Sequence, residues 1–86
     1  MANDIQTGNV KIPLKSGMKL DGVKVMELDM REPTVDDQMN VQGTGTDAEQ
    51  EVALIANLCM VKPTDIRSLT LRDYNRVKAK FMGFLD

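Results

Sequence analysis

The chain has 86 residues, 42% of them hydrophobic and 28% charged, with a formal net charge of −2. That length holds one domain with one small core, which gains from a partner or from self-association. With no histidine and a single cysteine, the composition lacks the commonest general base and metal ligand and has no intrachain disulfide framework.

Residues 1–8 are polar and lack periodicity, and they are expected to be flexible. A single domain is expected over residues 9–86, with a β-unit at 9–32 and a helical unit at 34–86. In VKIPL, Val10, Ile12 and Leu14 alternate with Lys11, Pro13 and Lys15, the period of a half-buried strand. Pro13 confines that strand to an edge or restricts the side on which it pairs. Ser16-Gly17 reads as a turn signal. Asp21-Gly22 is the stronger one, because both positions tolerate positive φ. Within VKVMELDM the apolar phase slips, with Val23 and Val25 on one face and Met26, Leu28 and Met30 on the other. Either a bulge near Lys24–Met26 restores one apolar face, or both faces are partly covered. An isolated hairpin is marginal in water, so helices must cover it.

After Pro33 the signals turn helical. Thr34 with Asp37, Thr46 with Glu49 and Thr70 with Asp73 each set a hydroxyl three residues before a carboxylate, the spacing of a capping box. The helix that starts at Thr34 is short, because QGTGT breaks it within about two turns. DAEQEVALIANLCM carries an apolar stripe of Ala48, Val52, Ile55 and Cys59, widened by Leu54 and Leu58. KPTDIRSL is a proline-started turn of helix. LRDYNRVKAKFMGFL places Leu71, Tyr74, Val77, Phe81 and Leu85 on one side and Arg72, Arg76 and Lys80 on another. The fold class is therefore α+β, an antiparallel β-hairpin or small meander followed by about three helices.

These residues are poor material for catalysis. Cys59 lies on an apolar stripe, which suits an inert thiol better than a nucleophile. Asp36 and Asp37 point about 100° apart on a helix, and capping accounts for Asp37. No spacing matches an EF-hand or a phosphate-binding glycine loop, and GTGT reads as a linker. No catalytic residue, metal or cofactor is expected. The longest apolar stretch, VALIANLCMV, is far short of the ~20 residues that span a bilayer, and no signal peptide is visible, so a soluble cytosolic protein is expected.

Charge is unevenly spread. Arg31–Glu51 carries one basic and six acidic residues, while Lys62 onward carries six basic and three acidic. A solvated mixed surface and a dipole that reads a partner both fit. IANLCMVKPTDIRSL has the rhythm of a helix-turn-helix, which makes a small DNA-binding regulator the alternative reading. Against it, Cys59-Met60 fill the place of the usual turn glycine, and Asp65 would face phosphates. Protein binding is the stronger class. Seven methionines in a chain with three aromatic residues serve either a loose core or an adaptable surface. Self-association through apolar or methionine-rich helix faces is expected.

Particular residues also carry a resemblance. VKIPL, the LDG turn, the junction MREPTVDD, the helical ALIANL, the segment PTDIRSLTLRDY and the terminal FMGFL resemble the tail assembly chaperone family of Mu-like and related contractile-tailed phages. The resemblance spans roughly residues 10–85. It implies a non-enzymatic protein of the host bacterial cytoplasm, absent from the finished virion. Its partner would be the long, aggregation-prone tape measure protein, held soluble until tail tube subunits polymerise around it. In many such families a programmed ribosomal frameshift makes a C-terminally extended form. A chain ending at Asp86 would be the shorter product, with the extended form and the tail tube protein as further partners. QMNVQGTGTD is glycine-rich where related chains often carry continuous helix. The REPT junction serves either as a folding corner or as a partner contact. The expected partner-binding residues are Phe81, Phe84 and Leu85 as apolar anchors, beside the ridge of Arg72, Arg76 and Lys80.

Overall fold

Alternation and turn chemistry build the first element pair. In the computed structural model, which describes residues 9–86, β1 (Val10–Leu20) and β2 (Val23–Met30) form a two-stranded antiparallel sheet. The expectation for residues 1–8 lies outside the described residues. Asp21 and Gly22 join the strands with φ of 52° and 82°, the left-handed pair that a two-residue hairpin turn demands. Among the described residues four helices follow, α1 (Val35–Val41), α2 (Asp47–Cys59), α3 (Pro63–Arg67) and α4 (Leu71–Phe84). The architecture is the expected hairpin followed by helices.

The phase slip in β2 is real, and its remedy lies in the other strand. Pro13 pairs with Glu27 and Met18 with Val25, so residues 14–17 of β1 stand opposite Met26 alone. Ser16-Gly17 is therefore part of a wide bulge inside β1 and reverses no chain. The extra residues let Ile12, Leu14 and Met18 all face the helices, although their partners change phase between Val25 and Leu28. Gly17 sits at φ 79°, where a Cβ would lie 2.8 Å from the Val25 carbonyl oxygen. Only glycine fits there.

A bulge leaves amides without ladder partners, and in a covered position they need acceptors. Asp73, in the first turn of α4, supplies them. Its fully buried carboxylate accepts from the backbone N–H of Lys15 at 2.7 Å, Ser16 at 2.8 Å and Gly17 at 3.2 Å. The expected capping box at Thr70 is consequently half made. The Thr70 hydroxyl accepts from the Asp73 N–H at 3.2 Å, but the carboxylate is committed to the bulge. Thr34 with Asp37 and Thr46 with Glu49 form complete boxes. α3 has a cap the Thr pattern did not reveal, the Asp65 carboxylate accepting from the Lys62 N–H at 3.0 Å.

The core lies between the hairpin and α2, α3 and α4, around Ile12, Met30, Ile55, Leu58, Ile66 and Val77. Two methionines, Met18 and Met30, are core, whereas Met26, Met39, Met60 and Met82 are exposed. On α2 the buried stripe is rotated from the expected one. Ala48 is exposed and Ala56 is fully buried, because α2 is covered by α3 as well as by β2. On α4 the expected apolar side holds at Tyr74, Val77 and Phe81 and fails at its ends, where Leu71 and Leu85 are exposed.

α2 ends on a left-handed residue, the position where glycine is usual. Here Met60 occupies it at φ 59°, with its side chain 85% exposed. Met60→Gly is expected to raise stability by about 0.5–1 kcal/mol, since it relieves the Cβ strain and removes no packing. Thermal denaturation should show a Tm gain of about 3–6 °C. A lower Tm in the variant would mean that Met60 packs against something essential.

Candidate functional site

Among the described residues no three His, Cys, Asp or Glu side chains are grouped to hold a metal ion. Cys59 is buried, and burial, with Asp29 nearby, pushes its thiol up to about 11, so it stays protonated at neutral pH. Asp36 and Asp37 do not act as a pair. Asp36 is exposed, and Asp37 is buried and fully engaged. No helix among the described residues is long and apolar enough to cross a membrane. Two features of the described residues stand out.

The first is the corner at REPT. Arg31 grips the Asp37 carboxylate with both guanidinium arms, each at 2.7 Å. The same carboxylate accepts from the Thr34 N–H at 2.8 Å and the Thr34 hydroxyl at 3.0 Å, and the Asp37 N–H donates back to that hydroxyl at 3.2 Å. The Arg31 N–H reaches the Leu58 carbonyl of α2 at 3.1 Å. The end of β2 and the start of α1 are thus locked at a fixed angle, with α2 fastened alongside. The Arg31 guanidinium, followed by the Thr34 donors, holds the Asp37 carboxyl well below the usual range, against the opposing effect of burial. Capping spacing pointed to Thr34 and Asp37. The share of Arg31 in this cluster is a tertiary contact across the corner, with no local sequence signal beyond the REPT stretch itself.

The second is a groove of about 460 Å³ between α1, α2 and the last turn of α4. Val41, Leu54, Phe81 and Phe84 form its apolar lining, with Val35 and Leu85 at its open side, 75% and 58% exposed. Gln38, Gln42, Gln50, Asp47 and Glu51 supply its polar lining. At Glu51, α4 is fastened to α2. The Tyr74 hydroxyl donates to one carboxylate oxygen at 2.8 Å, and Lys78 lies 3.2 Å from the other. Burial, followed by the bond to Glu51, raises the Tyr74 phenol above its ordinary range.

The six partner-binding residues expected from the sequence divide between two places. Phe81 is buried, Phe84 is half-buried and Leu85 is exposed, and all three line the groove. Arg72, Arg76 and Lys80 are exposed, and none of them lines it. At about 100° per residue, Arg72 and Arg76 project from the side of α4 opposite Phe81, with Lys80 between. The groove walls formed by α1 and α2 were not legible as a site, because no single element carries them.

The model of the family described as phage tail assembly chaperone proteins, E, or 41 or 14, matches residues 11–86. The chain belongs to this family. The match takes in the bulge, the corner and the groove. Comparison with curated proteins and with solved structures gave no match. Membership of the tail assembly chaperone family implies contact with other tail proteins.

The bonds at Asp73 and Asp37 set the acid stability of the chaperone. Burial pushes the Asp73 carboxyl up, but the amides of Lys15, Ser16 and Gly17 more than reverse it, so Asp73, like Asp37, lies below its ordinary range. Groups depressed in the folded state stabilise fully above the unfolded carboxyl value of about 4, and that stability is lost as pH falls through the folded values. With no histidine in the chain, Tm should be nearly flat between about pH 8 and 5 and should fall below about pH 4. Asp73→Asn should lower Tm at pH 7 by roughly 5–10 °C, because its amide group turns a donor toward the bulge donors. Asp37→Asn should cost about 1–2 kcal/mol, and each variant should flatten the acid limb. Circular dichroism melts across pH give the readout, and a steep change in wild-type Tm between pH 6 and 8 would contradict the assignment.

Proposed function

We propose that this chain binds the tape measure protein of its own phage in the host cytoplasm and keeps it soluble until the tail tube closes around it. The family match across residues 11–86 carries the reading. The physics is consistent with it. A tape measure chain exposes long apolar helix faces before assembly, and a temporary holder needs modest, reversible contacts with no chemistry. The chaperone acts as a non-enzymatic partner and leaves before the virion is complete.

Phe81, Phe84 and Leu85 are the proposed apolar anchors, with Arg72, Arg76 and Lys80 steering acidic stretches of the client. Self-association belongs to the same reading, since a small core with Met39, Met60 and Met82 exposed gains by burying more area. A frameshift-extended form of this chain and the tail tube protein are the further proposed partners. The DNA-binding alternative loses ground to α3, which has only five residues and carries Asp65 in its first turn. In the helix-turn-helix reading α3 would be the recognition helix, and five residues are too few for that role.

Co-expression with the tape measure protein tests the proposal. The tape measure protein should be soluble and should copurify with the chaperone. Arg72→Glu with Arg76→Glu should reduce its recovery about tenfold while circular dichroism stays unchanged. A tape measure protein that is equally soluble without the chaperone would sink the reading. Sedimentation of the chaperone alone at high micromolar concentration reads the self-association, and a purely monomeric distribution would remove that part.

A further inference from the structure

The geometry points to the groove between α1, α2 and the last turn of α4 as the docking site for an amphipathic helix of another protein, one whose apolar stripe is flanked by lysine or arginine. The inference rests on the chaperone reading only for the source of that helix, a segment of the captured tail protein.

Three observations carry it. Val35 and Leu85 stand on opposite walls of the groove, each large, apolar and mostly in water, with Phe84 and Leu54 half-covered below them. Apolar side chains converging on a cleft between helices are the shape that an apolar helix stripe fills. The cleft is held open. Its α1 wall is fixed by the Arg31–Asp37 clamp, and its α4 wall is fixed to α2 through Tyr74 and Glu51. A preformed groove saves an incoming helix the cost of ordering its site.

Charge selects the occupant. Six of the seven charged residues between Arg31 and Glu51 are acidic, and the one base, Arg31, is spent on Asp37. Asp47 and Glu51 face the groove itself, with Lys78 on Glu51 as the cation joined to that wall. The basic ridge of α4 lies outside it. A helix flanked by acidic residues meets repulsion there, and one flanked by basic residues meets attraction. Gln38, Gln42 and Gln50 add neutral polar partners that are cheap to desolvate compared with ions.

A second copy of the chain fits less well. Outside the groove α4 exposes Leu71 and Met82 as its large apolar residues, on the flank away from Arg76 and Lys80 and about three turns apart, with Asn75 and Lys78 between them. That is no continuous stripe.

The probe is a fluorescent synthetic helix of about 15 residues, with leucine at i, i+3, i+4 and i+7 and lysine elsewhere, beside an analogue with glutamate in place of lysine. Anisotropy should show micromolar binding of the lysine peptide and binding of the glutamate peptide at least about tenfold weaker. Val35→Ser with Leu85→Ser removes exposed side chains and should leave the fold intact by circular dichroism. It should weaken the lysine peptide about tenfold. Equal binding of the two peptides, or equal binding by variant and wild type, overturns the inference. So does loss of self-association in that variant with peptide binding unchanged, which would make the groove a contact between copies. Co-expression separates the two levels. If the double variant holds the tape measure protein as well as wild type does, the groove falls and the chaperone reading stands. If the lysine peptide seats in the groove but the tape measure protein is never held, the chaperone reading falls and the groove stands.

Discussion

The structure depends on one buried carboxylate. A strand that sets residues 14–17 against Met26 alone has amides with no ladder partner, and three of them turn toward the first turn of α4. Asp73 accepts from three of them. The bulge survives, so both ends of β1 keep their apolar side chains on the core. Because the acceptor sits in the first turn of α4, the same bonds fix that helix on β1. The position of Val77 and Phe81 in the core follows from that anchor, and so does the α4 wall of the groove.

Asp37 plays the equivalent part on the other side of the molecule. It too is the third residue of a helix, and it too reaches beyond its own helix start. It does so to an arginine at the end of β2 rather than to bare amides. The difference has a physical reason. At the corner the Thr34 N–H and hydroxyl both bond one oxygen of the carboxylate and leave the other to Arg31, which remains partly solvated and can bring its charge without a large desolvation cost. At the bulge no cation is buried, and three peptide dipoles stabilise the ion instead. Hairpin and helices are thereby joined at two points by directional bonds, in a chain whose core has few aromatic residues to supply packing.

Local chemistry was legible in the sequence and tertiary choices were not. The Asp21-Gly22 turn, the caps at Thr34 and Thr46, and the early end of α1 before two left-handed glycines all depend on residues within four positions of one another. The phase slip of Val25 against Leu28 was visible too. Which strand absorbs it depends on where Asp73 lies in space, more than fifty residues away in sequence, and one strand alone cannot disclose that. The same limit explains Asp73 itself. Its spacing from Thr70 gives a capping box, and only the approach of β1 offers the carboxylate better donors. The α4 end of the groove could be read from Phe81, Phe84 and Leu85, since they share a helix. Val35, Val41 and Leu54 come from two other helices that the corner brings alongside, and no periodicity links them.

Phe81 belongs to the core and to the groove at once. Its ring is nearly out of water, yet it forms part of the lining that a docked helix would cover. A helix docked in the groove would therefore extend the core at Phe81, and occupancy and folding stability would become one linked equilibrium. If the groove is filled as proposed, an empty molecule would be the less stable one, opening more often and more readily cut by proteases, and a loaded one would be protected for as long as it held its cargo. The lifetime of the chaperone in the cell would then be set by the supply of its client, with no dedicated regulatory site required.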